Sequence, residues 1–195
     1  MDVTVAIAAK NSADIIGGCL SSLAAQTEAP AEVLVIVDDE DDPTIAAALE
    51  HRARVVLNHG RKLYQARNTA LQACKTEVLA FVDADCELSP QWVREAKRVL
   101  RAHPEVAGGT GPHPMLGRHN LSSWLHHMWF VVETLQPGYV NGVIGGNSFF
   151  RREALEAVGG WADLQLLAAE DVLISRRLLA AGYRLWFTSG CVASH

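Results

Sequence analysis

The segment Val78-Leu79-Ala80-Phe81-Val82-Asp83-Ala84-Asp85 limits the architectures open to this chain. Five apolar residues in a row, rich in Val and Phe, read as a strand buried on both faces. Val3–Ala9 and Val33–Val37 have the same character, and segments with apolar residues at helical spacing separate the three. A strand buried on both sides needs helices over each face of its sheet. The β-α-β-α order therefore predicts an α/β/α sandwich with a mostly parallel central sheet and right-handed crossovers. At 195 residues the chain is long enough to bury one substantial core, and one domain is expected over 1–195.

The remaining elements follow from punctuation. Asn11 and Ser12 are candidate caps for a helix running to about Gln26, with Ile15, Ile16, Cys19, Leu20 and Leu23 at helical spacing. A short helix is expected at Thr44–His51, a strand at Arg54–Leu57 and a helix at Leu63–Cys74. Ser89 and Pro90 suit the cap and first turn of a helix reaching Arg101. The second half is less regular. It offers a strand at Val106–Gly111, a helix at Asn120–Leu135, and a strand-like run at Tyr139–Phe150 interrupted by Gly142, Gly145 and Gly146. Such glycines mark bulges or close approach of backbone to a ligand. Helices at Arg152–Val158 and Asp171–Ala181 and short strands at Arg184–Phe187 and Cys191–Ala193 complete the reading.

Composition excludes several classes. A net charge of −5 argues against a general nucleic-acid binder. Cys19, Cys74, Cys86 and Cys191 have neither Cys-x-x-Cys nor zinc-like spacing, so buried thiols are expected and the cytoplasm is the expected compartment. The start Met1-Asp2-Val3-Thr4 lacks a basic leader, and no run reaches the ~20 apolar residues of a membrane span. His113, His119, His126 and His127 form no compact ligand set.

Acidic residues cluster at Asp38/Asp39, Asp83/Asp85 and Glu170/Asp171. Ligands of open parallel sheets bind outside the carboxyl ends of strands, which brings the first two clusters to one edge. Ala8-Ala9-Lys10-Asn11-Ser12 after the first strand has none of the glycines of a dinucleotide turn, and there is no P-loop. Alternate residues of a strand share a side, so Asp83 and Asp85 are expected to converge, and a hard divalent cation shared with phosphate oxygens would relieve their repulsion. The alternative is a turn in which Asp85 caps the next helix.

In order along the chain, these segments resemble the family 2 glycosyltransferases, which have the Rossmann-like GT-A fold. The resemblance is carried by Val3–Asn11, the first helix from Cys19 to Thr27, Val37-Asp38-Asp39, Ala66-Arg67-Asn68, Asp83-Ala84-Asp85, Gly145–Arg152 with Val158-Gly159-Gly160-Trp161, Glu170-Asp171 with Arg176-Arg177-Leu178, and Val192-Ala193-Ser194-His195. Lys10 stands where the family usually has an aromatic residue, and Glu40-Asp41-Asp42 replaces its usual Gly-Ser.

The resemblance implies a nucleotide-binding half at 1–110 and an acceptor-binding, catalytic-base half at 111–195. It implies donor contacts from Ala8, Asn11, Asp39, Arg67, Asp83 and Asp85. Asp39 would read the uracil, Arg67 would approach base or diphosphate, and Asp83 would face the ribose. Asp85, with His195, would hold Mn2+ or Mg2+. Asp171 would be the catalytic base, at a helix start whose dipole favours negative charge, and Glu170 would orient neighbours or bind acceptor. The implied partners are a nucleotide-sugar donor, UDP-linked in the first instance, and a saccharide, lipid-linked or other hydroxyl acceptor in surface glycan or glycolipid synthesis. Trp124, Trp129 and Phe130 on the Asn120–Leu135 helix suit core packing, or the acceptor cleft and a peripheral contact with the inner membrane face. The basic face of Arg94, Lys97, Arg98 and Arg101 is read as solvated or touching anionic lipid. Two rivals stay open: a sugar-nucleotide-binding protein without catalysis, and a nucleotidyltransferase of related fold, which would be expected to carry a Gly-rich basic loop after the first strand.

Overall fold

The computed structural model describes residues 1–114, 136–161 and 169–195. Each apolar run forms a strand. β1 (Val3–Ala8), β2 (Glu32–Val37), β3 (Arg54–Leu57) and β4 (Val78–Asp83) lie parallel in the order β3-β2-β1-β4. The helices between them are α1 (Ile16–Ala24), α2 (Thr44–Glu50) and α3 (Leu63–Ala73). The short β5 (Glu87–Leu88) and α4 (Trp92–Ala102) follow. β6 (Val106–Thr110), β7 (Gly138–Val140), β8 (Asn147–Arg151) and β9 (Arg184–Phe187) extend the same sheet to eight strands, β3-β2-β1-β4-β8-β6-β9-β7. α5 (Arg152–Ala157) and α6 (Glu170–Ala180) lie in this half, and β10 (Ala193–Ser194) pairs antiparallel with β5. The sheet is mostly parallel, as expected; β8 runs antiparallel to both β4 and β6, and β7 antiparallel to β9.

The period-two alternation of the strands builds a core on each face. Val3, Val5 and Ile7 of β1 pack with Ile16, Leu20 and Leu23 of α1 and with Trp92, Val93 and Leu100 of α4. Ala6, with Leu34, Ile36, Leu79 and Phe81, packs on the other face against Ala66 and Ala70 of α3, Leu155 of α5, and Ile174 and Leu178 of α6. Three layers result.

The caps differ from expectation. Asn11 and Ser12 do not cap α1: the Ser12 hydroxyl donates to Lys10 O at 3.1 Å, and its amide donates to Thr44 Oγ1 at 2.8 Å. The Ser12 carbonyl instead accepts from Ile15 and Ile16, delaying the helix to Ile16. Ser89 likewise sends its hydroxyl to Gly190 O at 3.1 Å, and α4 begins at Trp92 rather than Pro90. The Ser12 hydroxyl is taken by a carbonyl two residues back and the Ser89 hydroxyl by a tertiary one, and each competes with the cap. The Tyr139–Phe150 run is two strands, β7 and β8, on different neighbours in the sheet. The expected Asn120–Leu135 helix lies outside the described residues.

Candidate active site

The carboxyl ends of β1, β2 and β4 form one ledge. Ala8 ends β1 in register with Ile36 on one side and Asp83 on the other. Beyond β2, Asp38 accepts from Asn58 Nδ2 at 2.8 Å and faces Lys10 Nζ at 3.7 Å. Asp39, half-exposed, pairs with Arg61 at 2.6 Å. A cavity of about 210 Å³ opens here, lined among others by Ala8, Lys10, Asp38, Arg61, Lys62 and Leu63. A narrow crevice shares Ala8, Ile36, Leu63 and Ala66 with it and continues to Arg67 and Asp83. Apolar walls with a few charged groups at the rim suit a flat polar ring.

Asn11 borders this ledge in a left-handed conformation, φ 50°. Asp42 fixes it, accepting from the Asn11 amide at 3.0 Å and the Thr44 amide at 2.8 Å. Burial pushes the Asp42 carboxyl up, but hydrogen bonds from Thr44 and Asn11 outweigh it and hold the group below its ordinary value. The Asn11 contact, 31 residues apart in sequence, is not visible in the local sequence.

Asp83 is the last residue of β4, and its amide donates to Gly146 O at 3.2 Å. Gly146 packs against the Asp83 carboxylate so closely that a side chain there would overlap it. Asp85 has already left the strand in a turn closed by Cys86 N donating to Asp83 O at 3.2 Å. The two carboxylates therefore do not share a strand face; the turn, not the pleat, sets their directions.

His195 comes to Asp85 from the far end of the sequence, with Nε2 2.7 Å from Asp85 Oδ2. Strand β10 on β5 and the bonds Ala193 N to Pro112 O (3.0 Å) and His195 N to Pro114 O (2.9 Å) hold it there. The His113 ring stacks on His195 with centroids 5.8 Å apart, and its buried Nδ1 has no hydrogen-bond partner. Burial holds the His113 imidazole below its usual value, which favours its neutral form.

These residues fit a divalent cation in a limited sense. Asp85 and His195 face each other as carboxylate and imidazole, with an orphaned imidazole nitrogen on the His113 ring stacked against His195. Among the described residues no three His, Cys, Asp or Glu are grouped to hold a metal unaided. An ion here would take its other ligands from substrate phosphate and water, as small hard cations commonly do.

Asp171 stands in the first turn of α6. Its Oδ2 accepts from the Gly145 amide at 3.1 Å and its Oδ1 from the Val172 amide at 2.8 Å. Glu170 beside it pairs with Arg67 at 3.1 Å, and Arg67 NH1 donates to Gly145 O at 3.0 Å. The guanidinium also lies over the Phe81 ring, 4.9 Å from its centroid. Only 4% exposed, Arg67 is a buried strut at the inner end of the crevice. Gly145 thus meets Asp171, and Gly146 meets Asp83. One dipeptide joins the two acidic centres.

The sequence reading missed Asn147, the fully buried residue that follows. Its Oδ1 accepts from Trp92 Nε1 at 2.8 Å, and its Nδ2 donates to Pro112 O and Cys191 O, both at 2.9 Å. It therefore ties the segments that carry His113 and His195 to β8. Its only sequence signal was its place directly after the glycine pair.

An eight-stranded, mostly parallel sheet with acidic groups at the end of its fourth strand is the architecture of the GT-A glycosyltransferases. Staphylococcus aureus TarS, residues 1–349, superposes with a TM-score of 0.77 at 21% identity, covering 100% of this chain and 60% of that one. The mannosyltransferase PcManGT of Pyrobaculum calidifontis, solved with GDP-Man and Mn2+, gives 0.75 at 22% identity, covering 99% and 56%. The family model described as glycosyl transferase family 2 matches residues 4–159, and the chain belongs to that family of enzymes. Among relatives, it is 26% identical to the glycosyltransferase AglE of Haloferax volcanii, covering 99% of this chain and 66% of AglE. It is 28% identical to the pre-mycofactocin glycosyltransferase of Mycobacterium tuberculosis, covering 100% and 42%. The chain therefore spans between about two-fifths and two-thirds of these relatives' length.

Proposed function

We propose that this domain transfers a sugar, with inversion, from a nucleoside-diphosphate donor to a hydroxyl acceptor, and that it requires Mn2+ or Mg2+. The observation that carries the reading is the Gly145–Gly146 dipeptide, which touches Asp171 on one side and Asp83 on the other. A base and a donor-contacting carboxylate one peptide apart suit an acceptor oxygen and an anomeric carbon held in contact.

In this reading the cavity beside Lys10 and Arg61 takes the nucleobase, with Asp39 and Asn11 at its rim and Ala8 beneath. Asp83 takes the ribose. Asp171 accepts the acceptor's hydroxyl proton as its oxygen bonds to the anomeric carbon, while the bond to the diphosphate breaks and the nucleoside diphosphate leaves with the electron pair. Asp85 and His195 would hold the metal, which when bound neutralises charge on that leaving group. Residues 1–110 then serve the donor and 111–195 the acceptor and base. The neighbour solved with GDP-Man and Mn2+ supports the donor class and the metal, and a TarS structure in complex with UDP-GlcNAc keeps a UDP-linked donor first among candidates. A lipid-linked or saccharide acceptor in surface glycan assembly, at the cytoplasmic membrane face, is consistent with this chemistry. No helix among the described residues is long and apolar enough to cross a membrane.

A screen of nucleotide sugars for metal-dependent hydrolysis, followed by calorimetry with UDP, tests the proposal. Asp171→Asn is expected to lose at least about a hundredfold in turnover and to keep UDP binding. Asp85→Ala is expected to lose the Mn2+-dependent part of UDP binding. Full turnover by Asp171→Asn removes the base assignment, and equal UDP affinity of Asp85→Ala with Mn2+ present removes the metal role.

A further inference from the structure

We propose that Arg67 is a positioning residue for the Asp171 carboxylate, acting through Gly145 and Glu170; this rests on reading Asp171 as the base. The family resemblance directs Arg67 toward the base or diphosphate of the donor. The geometry gives it other work. One guanidinium nitrogen donates to Gly145 O at 3.0 Å, and the other to Glu170 Oε1 at 3.1 Å. The amide of the same glycine donates to Asp171 Oδ2 at 3.1 Å. Gly145 is therefore held at its carbonyl by Arg67 and, at its amide, holds the carboxylate.

Glu170 gives a second route, since it precedes Asp171 directly in the first turn of α6. Gly145 is closely enclosed: an added Cβ would stand 2.7 Å from the Arg67 guanidinium, 3.2 Å from Glu170 Oε1 and 3.4 Å from Asp171 Cβ. The Phe81 ring supports the guanidinium plane from β4, the strand that ends in Asp83. A planar fork with two fixed donors can span a carbonyl and a carboxylate at once, whereas a lysine ammonium is a point charge on a flexible stem. A phosphate ligand tolerates that exchange far better, because lysine also binds phosphate. Arg67→Lys therefore separates the two roles.

The experiment uses Arg67→Lys, which keeps the charge, and Glu170→Gln, which keeps the side-chain length. It measures UDP affinity with Mn2+ by calorimetry, kcat and donor KM with a nucleotide sugar that the parent turns over, and hydrogen exchange of the 15N-labelled Gly145 amide. Both variants are expected to bind UDP within about threefold of the parent while kcat falls about 10- to 100-fold, because a misplaced base lowers rate more than affinity. The Gly145 amide is expected to exchange at least about tenfold faster as its carboxylate acceptor drifts. An unchanged Gly145 amide in both variants overturns the proposal. So does an Arg67→Lys variant that keeps kcat within about threefold of the parent, the outcome for a diphosphate ligand that lysine can replace. If the parent turns over no nucleotide sugar, the transfer reading fails, and the Gly145 exchange rates still decide whether Arg67 holds the Asp171 contact.

Discussion

Asn147 has three side-chain partners, Trp92, Pro112 and Cys191, and its carbonyl accepts from Thr110 Oγ1 at 2.6 Å. Asn147, Trp92 and Cys191 have no exposed surface, so the Trp92 and Cys191 groups have no water to turn to. Asn147→Ala would strand the Trp92 indole N–H and the Cys191 carbonyl, each at about 1–3 kcal/mol if no water enters, while Pro112 O keeps the Ala193 amide. We expect a loss of roughly 3 kcal/mol or more in urea unfolding, and weaker Mn2+-assisted UDP binding as the His195 segment loosens. A variant as stable as the parent would show that water replaces the amide. The contrast with Asp83 and Asp85 is instructive. Those two were legible because carboxylates at the end of an apolar strand are costly without a purpose. A buried asparagine satisfied by residues 35 to 55 positions away in sequence leaves no such trace.

At the scale of elements, strands were read more accurately than their caps. β1, β2, β3 and β4 fall within a residue or so of the apolar runs, because burial on both faces is written into consecutive residues. The starts of α1 and α4 moved inward because Ser12 and Ser89 spend their hydroxyls on Lys10 and Gly190. β6 shows another element-level constraint. Its Gly109 faces the Trp186 carbonyl and the Phe149 ring, and a Cβ there would overlap the carbonyl. Gly109→Ala is expected to destabilise the domain by about 1–3 kcal/mol, since backbone cannot move aside as a side chain can. Chemical denaturation checks this, and an unchanged midpoint would mean that β6 and β9 slide apart at little cost. Ala169, in the left-handed conformation at φ 66°, carries strain of about 1 kcal/mol where the chain turns into Glu170 and Asp171.

For the whole molecule, the four thiols report on the integrity of the two cores. Cys19, Cys74, Cys86 and Cys191 are all free and buried, as their spacing suggested. Burial is the main cause that pushes the Cys19 and Cys191 thiols well above their usual value. The unfolded chain then releases protons that the folded chain keeps, so these groups favour folding below the ordinary thiol value of about 8.5 and lose that contribution as pH rises beyond it. Native protein is expected to react slowly with a thiol reagent at pH 8 and rapidly once unfolded. Its unfolding free energy is expected to fall from pH 8.5 upward, less steeply in Cys19→Ala. Rapid labelling of native protein would mean that the cores open locally.

The sequence by itself determined the layered α/β architecture, its mostly parallel first half and the acidic ledge. Each is a local pattern: apolar runs, helical spacing, and carboxylates at strand ends. Family membership was legible for the same reason, since its motifs are short and ordered along the chain. Only the tertiary structure decided how those motifs meet. It brought Asp85 to His195, 110 residues distant in sequence. It also set Gly145 between Arg67 and Asp171, and gave Asn147 the task of tying the histidine segments to the sheet. Such contacts depend on which buried donors and acceptors remain unpaired once the sheet has formed, and that tally closes only in three dimensions.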